Sequence, residues 1–173
     1  MNHKRVALIS TGGTIEKTYN ELQGAMENQI SVLDVLLGQL RVRNVHIVRV
    51  PLMNKDSLDM TPSDHTLIAR TADAMSQDHD GVIIVHGTDR LEVSGERTYE
   101  LIKSPKVPIV FTGAMIPYEL RRSDAVQNIT ESLLAVQLLT PGIYTVFQNQ
   151  ILKFPGVCKN RKTGTFVQCE NSL

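Results

Sequence analysis

Apolar positions gather in five short runs along the chain: RVALIS (5–10), VHIVRV (45–50), GVIIVH (81–86), VPIVFT (107–112) and GIYTVF (142–147). They are rich in β-branched residues and mostly continuous rather than alternating, the pattern of strands covered on both faces. The segments between them carry helical signals. Over 61–78, Thr61 reads as the N-cap, Pro62 as the first helical residue and Asp64 as first-turn acid, with Leu67, Ile68, Ala72 and Met75 on one face. Over 122–139, Ser123 reads as the cap, and Val126, Ile129, Leu133 and Val136 form an apolar stripe that ends before the Thr-Pro-Gly at 140–142. Weaker helices are expected at 91–103, which contains Gly95, and around 30–40.

Strands alternating with helices at this spacing predict an α/β fold: three layers, doubly wound, with a mostly parallel sheet. No repeat, low-complexity tract or linker divides the sequence, so residues 1–173 are expected to form a single domain. After the fifth run the segment 148–173 is polar and without a clear packed element. It reads as a frayed tail or a loop with a function.

Composition narrows the function classes. Lysine plus arginine and aspartate plus glutamate both number 18, which argues against a nucleic-acid carrier or a protein drawn to anionic membranes. The N-terminal apolar run is shorter than the roughly 7–15 residues of a signal-peptide core, and nothing approaches the roughly 20 needed to span a bilayer. Cys158 and Cys169 match neither a disulfide framework nor a zinc spacing, and are expected to be reduced thiols. A cytoplasmic location is the resulting expectation.

In open α/β sheets, ligands bind beyond the carboxyl ends of the strands. Four polar segments fall there: TGGT (11–14), NKDSLDM (54–60), HGTD (86–89) and TGAM (112–115). They bring the hydroxyls of Thr14, Ser57 and Thr88, the carboxylate of Asp89, and glycines permitting close backbone approach toward one crevice. TGGTIEK matches neither nucleotide-binding fingerprint, and the five histidines show no metal-ligand spacing, so no cofactor and no metal is expected. His86 reads either as a general base or as a hydrogen-bonded strand-end residue. Nucleophilic catalysis needs a hydroxyl, a proton acceptor and oxyanion donors. Thr14 or Thr88 could serve as nucleophile, with backbone N–H groups at 12–13, 87 and 113 as donors.

STGGTI, DSLDMTP, HGTD and VFTGAM followed by proline at 117, in this order and spacing, resemble the bacterial-type L-asparaginase/glutaminase family of amidohydrolases, from Val6 to about Lys159. The resemblance implies a flavodoxin-like N-terminal asparaginase domain that acts on L-asparagine without a cofactor. Thr14 matches the usual nucleophile, and Tyr19 the tyrosine on the mobile loop beyond it. Thr88 and Asp89 match a second essential threonine and an aspartate that contacts the substrate α-amino group. Lys159 matches a lysine that works with both. Ser57 matches an α-carboxylate ligand, and Ala114 lends its backbone to the amide. Gly13, Gly87 and Leu58 complete the implied substrate-binding set, Leu58 standing where many members have a polar residue. Ile116 replaces a common arginine, and Cys158 replaces a threonine. An aspartate beside Lys159 favours the ammonium while burial favours the amine, by similar amounts, which leaves Lys159 and Tyr19 both as candidate bases.

Typical members carry a second, C-terminal domain, and in their oligomers a neighbour helps close each site. The sequence reads as a short form without that domain, with a homo-oligomer implied. Three functions follow: an asparagine amidohydrolase, an ammonia-generating amidotransferase-type subunit, or an asparagine- or aspartate-binding sensor without turnover.

Overall fold

A computed structural model describes residues 3–28 and 31–169 of the chain. The elements run β1 (Lys4–Gly12), β2 (Thr18–Asn20), β3 (Ala25–Glu27), α1 (Leu33–Gln39), β4 (Val45–Lys55), α2 (Pro62–Ser76), β5 (Gly81–Val85), α3 (Leu91–Leu101), β6 (Pro108–Thr112), α4 (Ala125–Leu138), β7 (Gly142–Phe147), β8 (Gln150–Lys153), β9 (Val157–Asn160) and β10 (Thr165–Gln168). All five apolar runs are strands. The helix expected around 30–40 occupies 33–39, and its residue 30 lies outside the described residues.

Six strands form one sheet in the order β4-β1-β5-β6-β7-β8. The first five are parallel, and β8 returns antiparallel along β7. Successive side chains of a strand point to opposite faces, and both faces here are apolar. Val6 and Leu8 of β1 join Leu33 and Leu36 of α1 and Ile129 and Leu133 of α4 in one core layer. Ala7 and Ile9 join Ile68 and Ala72 of α2 and Leu91 of α3 in the other. This is why the runs are continuous: both faces of the central strands are covered, and a three-layer doubly wound fold results. The chain leaves β1 for β4 on one side and returns to β5 on the other, so the order reverses at β1, the place where open sheets form a ligand crevice.

Helix α2 is bounded as its sequence predicts. Thr61 Oγ1 accepts the Asp64 N–H, and the Asp64 carboxylate accepts the Thr61 N–H at 2.8 Å, a complete capping box ahead of Pro62. Helix α4 corrects the expected cap. It starts at Ala125 with Asp124, not Ser123, in the N-cap position. The Asp124 carboxylate is committed to the N–H groups of Met115 and Ile116 at 3.0–3.1 Å, while Ser123 donates to the Ile116 carbonyl and accepts from Ala125 N–H. These two side chains fasten the loop after β6 rather than the helix alone.

The C-terminal segment corrects a second expectation. It is neither frayed nor a bare loop: β8 completes the sheet edge, and β9 and β10 pair as an antiparallel hairpin. Phe154, Val157 and Phe166 sink from it into the core. Cys158 and Cys169 are joined as a disulfide across this hairpin (S–S 2.08 Å), so the expected free thiols are wrong, and with them one support for a cytoplasmic location. Among the described residues no helix is long and apolar enough to cross a membrane.

Candidate active site

The TGGT turn leaves β1 through two glycines with positive φ, and Gly13 (φ 85°) is the one that decides the packing. A Cβ on Gly13 would lie 2.4 Å from the Gly87 Cα, and a Cβ on Gly87 would lie 2.6 Å from the Ser57 Cβ and Oγ. The segments after β1, β4 and β5 therefore meet at distances only glycine allows. Thr11 Oγ1 donates to the Val85 carbonyl at 2.9 Å, pinning β1 to β5 just below the turn. Thr11 is thus a structural hydroxyl, and Thr14 remains half-exposed at the rim with no side-chain hydrogen bond among the described residues.

The HGTD segment carries the most ordered part of the crevice. Lys159 Nζ donates to Thr88 Oγ1 at 2.8 Å and to Asp89 Oδ1 at 2.9 Å. Arg161 also pairs with Asp89 Oδ1 at 3.2 Å, while Asp89 Oδ2 accepts no hydrogen bond among the described residues. Thr88 and Lys159 lie 71 residues apart in sequence, and the β9–β10 hairpin is what brings them together. Ser57 is buried against Gly87, and Ala114 is buried at the end of β6.

The opposite side is looser. Tyr19 lies on β2 with its side chain 58% exposed. Its backbone N–H donates to Glu119 Oε2 at 2.7 Å, but its hydroxyl makes no hydrogen bond among the described residues. Lys17 Nζ pairs with Asp56 Oδ2 at 2.7 Å, tying this segment to the residue before Ser57. Burial pushes the Asp56 carboxyl up, but the Lys17 ammonium and the Leu58 N–H outweigh it and hold the group below its ordinary range. Leu58 itself is 56% exposed.

Several expectations change here. The Gly13 N–H donates to the Lys55 carbonyl at 2.9 Å, and the Gly12 N–H serves the Glu16 carboxylate, so neither is an oxyanion donor. His86 is fully buried and is no general base for the crevice. Its Nδ1 lies 2.8 Å from the Gly87 carbonyl and its Nε2 lies 2.7 Å from Ser94 Oγ, which also contacts His65 Nδ1 at 2.7 Å. The Gly87 carbonyl can only accept, so Nδ1 carries the proton and Ser94 donates to Nε2. Ser94 then accepts from His65. Burial, reinforced by His65 and opposed by the bond to Gly87, depresses His86 to about 4. Burial likewise lowers His65.

Sequence reasoning missed Ser94, Glu16 and Glu92. Glu16 is buried beneath the turn that carries Thr14. Burial raises its carboxyl, opposed by the Ser31 hydroxyl, Arg49 and the Gly12 N–H. An acid directly after TGGTI was a visible signal. No pattern marked Ser94 as a bridge between two histidines. Among the described residues no group of three acidic, histidine or cysteine side chains is suited to hold a metal.

A reversing parallel sheet with these four loops at its switch point matches a known domain. The family profile described as "Asparaginase, N-terminal" covers residues 5–167. The chain belongs to this asparaginase family. The L-asparaginase of Thermococcus kodakarensis is 30% identical over 162 residues, which are 92% of this chain and 49% of that protein. Its solved structure superposes with a TM-score of 0.86 over 95% of this chain and 51% of its own. A glutamyl-tRNA(Gln) amidotransferase subunit of Haloquadratum walsbyi is 37% identical over 145 residues, 82% of this chain and 32% of that protein. A structure titled as a probable cytoplasmic L-asparaginase from Campylobacter jejuni, 28% identical, superposes with a TM-score of 0.77 and covers 95% of this chain and 51% of its own. The chain spans about half the length, or less, of the curated relatives it matches.

Proposed function

We propose that this asparaginase-family domain is an amidohydrolase that converts L-asparagine to L-aspartate and ammonia. The observation that carries the reading is the Lys159 bridge to Thr88 and Asp89, held opposite a TGGT turn that only glycine packing brings close. Thr14 Oγ adds to the side-chain amide carbon of asparagine. Its proton passes to an acceptor, either Lys159 by way of Thr88 or the Tyr19 hydroxyl. The amide nitrogen takes up a proton and leaves as ammonia, and an aspartyl ester remains on Thr14. Water then attacks the ester, releasing aspartate and restoring the hydroxyl. A threonine hydroxyl needs such an acceptor because it is a weak nucleophile at neutral pH. Asp89 receives the substrate ammonium, Ser57 and the Leu58 backbone receive the α-carboxylate, and the Ala114 backbone orients the amide.

The residues 3–169 act in this reading as one catalytic domain. A homo-oligomer fits it too, since Thr14 and Tyr19 stand on an open rim that a second copy is suited to cover. The 37% identity to an amidotransferase component favours one other reading, an ammonia-supplying subunit that works on a protein partner. The deciding experiment measures ammonia released from asparagine and, separately, from glutamine, with Thr14→Ala and Thr88→Val as controls. Ammonia from asparagine that both substitutions abolish is the expected result. Binding of asparagine or aspartate without ammonia above the controls would replace the hydrolase with a sensor.

A further inference from the structure

Lys159 reaches Thr88 and Asp89 from a two-stranded hairpin that is not part of the main sheet, so something must set its position. Two glutamates one helical turn apart on α3 face that strand. Glu92 Oε2 accepts the backbone N–H of Lys159 itself at 2.7 Å, and Glu96 Oε1 accepts the Gly156 N–H at 2.6 Å. Between them, the tip of the Phe154 ring abuts Gly95, where a Cβ would fall 2.0 Å from the ring. Lys159 is consequently gripped at both ends by one short stretch of chain: Nζ by residues 88 and 89, backbone N–H by residue 92.

We propose that Glu92 is a positioning residue for Lys159, fixing the strand at the height from which Nζ spans Thr88 and Asp89. A carboxylate is suited to this because its bond to an N–H is charge-assisted and stronger than a neutral one. Glu96 makes the same kind of bond three residues earlier, where no crevice side chain is carried. It is therefore the internal control: a general strut would make the two substitutions equivalent, and a positioning role would not.

The kinetic arm rests on the hydrolase reading. Displacing a reacting group slightly costs up to about a hundredfold, so Glu92→Ala should lower kcat about tenfold with KM nearly unchanged. Glu92→Gln, which keeps an acceptor oxygen, should recover most of the rate. Glu96→Ala should lower the melting temperature similarly but leave kcat within about threefold, since only loop attachment is lost. A second arm needs no turnover. Lys159 is methylated with formaldehyde and borohydride, and its extent of reaction is read by peptide mass spectrometry. Glu92→Ala should expose Nζ and speed labelling several-fold, with Glu92→Gln and Glu96→Ala near the parent. Should Glu92→Ala fail to fold, Glu92→Asp, one methylene short of the Lys159 N–H, should show the same direction to a lesser degree.

Equal labelling of Lys159 in the parent and the Glu92 variants would overturn the proposal, as would Glu92→Gln behaving like Glu92→Ala. If the parent releases no ammonia, the hydrolase reading falls and labelling alone decides the role of Glu92.

Discussion

The two walls of the crevice are built differently. The wall after β5 is cross-braced: Lys159 bonds Thr88 and Asp89, Gly87 packs on Gly13 and Ser57, and the His86–Ser94–His65 chain lies buried beneath. The wall after β1 is anchored at its root by Thr11 and Glu16 but ends in a half-exposed Thr14 and a Tyr19 whose hydroxyl bonds nothing among the described residues. The contrast suggests a division of labour. In the proposed mechanism the groups that handle protons and the substrate ammonium are the preorganised ones, where fixed geometry is worth most. The proposed nucleophile Thr14 and its neighbour Tyr19 stand instead on the more exposed rim, their hydroxyls without a hydrogen bond among the described residues.

The sharpest way to break this comparison is to disable the braced wall. Lys159→Met and Thr88→Val should each lower kcat by about 10²–10⁴-fold, the range for losing a proton-transfer group, while circular dichroism stays native. Substitutions on the braced wall that left kcat within about tenfold would remove the claimed division.

Acid stability comes next. His86 is held neutral, its value depressed to about 4 against an ordinary 6.5. Between these values the unfolded chain binds more protons, so stability should be full above pH 6.5 and fall as pH drops toward 4, by on the order of 3 kcal/mol. Urea titrations across that window check it, and His86→Asn should flatten the slope. Glu16 acts in the opposite sense: its carboxyl is raised, so the folded state binds more protons above pH 4.5 and loses stability as pH rises. Glu16→Gln measured in parallel separates the two contributions.

A smaller effect tests how tightly the walls are joined. Gly13→Ala forces φ 85° on an alanine and drives a Cβ to 2.4 Å from backbone, which should cost at least roughly 1–3 kcal/mol in thermal or urea unfolding. Smaller still, Lys17→Met removes a partly exposed ion pair to Asp56 and should change stability by less than about 1 kcal/mol. The same substitution should make the β2–β3 segment more susceptible to protease, whereas Glu92→Gln should not.

Much of this architecture was legible because the physics is local. The five strands announce themselves by apolar runs, and α2 by its Thr61 cap, Pro62 and first-turn Asp64. The four loops of the crevice follow from where those strands end. What sequence concealed depends on long-range contact. Ser123 looks like a cap, but Asp124 stands in the N-cap position, its carboxylate bonded to the N–H groups of the loop after β6 rather than to those of the helix. The C-terminal hairpin is short and its outer face polar, so only Phe154, Val157 and Phe166 betray packing. Cys158 and Cys169 flank a turn-forming Asn-Arg-Lys-Thr-Gly at 160–164 and pair across it, a contact that spacing rules for metal sites or secreted frameworks do not capture. His86 was ambiguous because a strand end can face either crevice or core, and only the Ser94 bridge resolves which.

The most direct measurement is to find the covalent intermediate. The protein is mixed with saturating asparagine, quenched in acid at early times and digested, and its peptides are weighed. An aspartyl ester on the peptide containing Thr14, absent from Thr14→Ala, is the predicted result. An ester on Thr88 instead, with Thr14 unmodified, would contradict it.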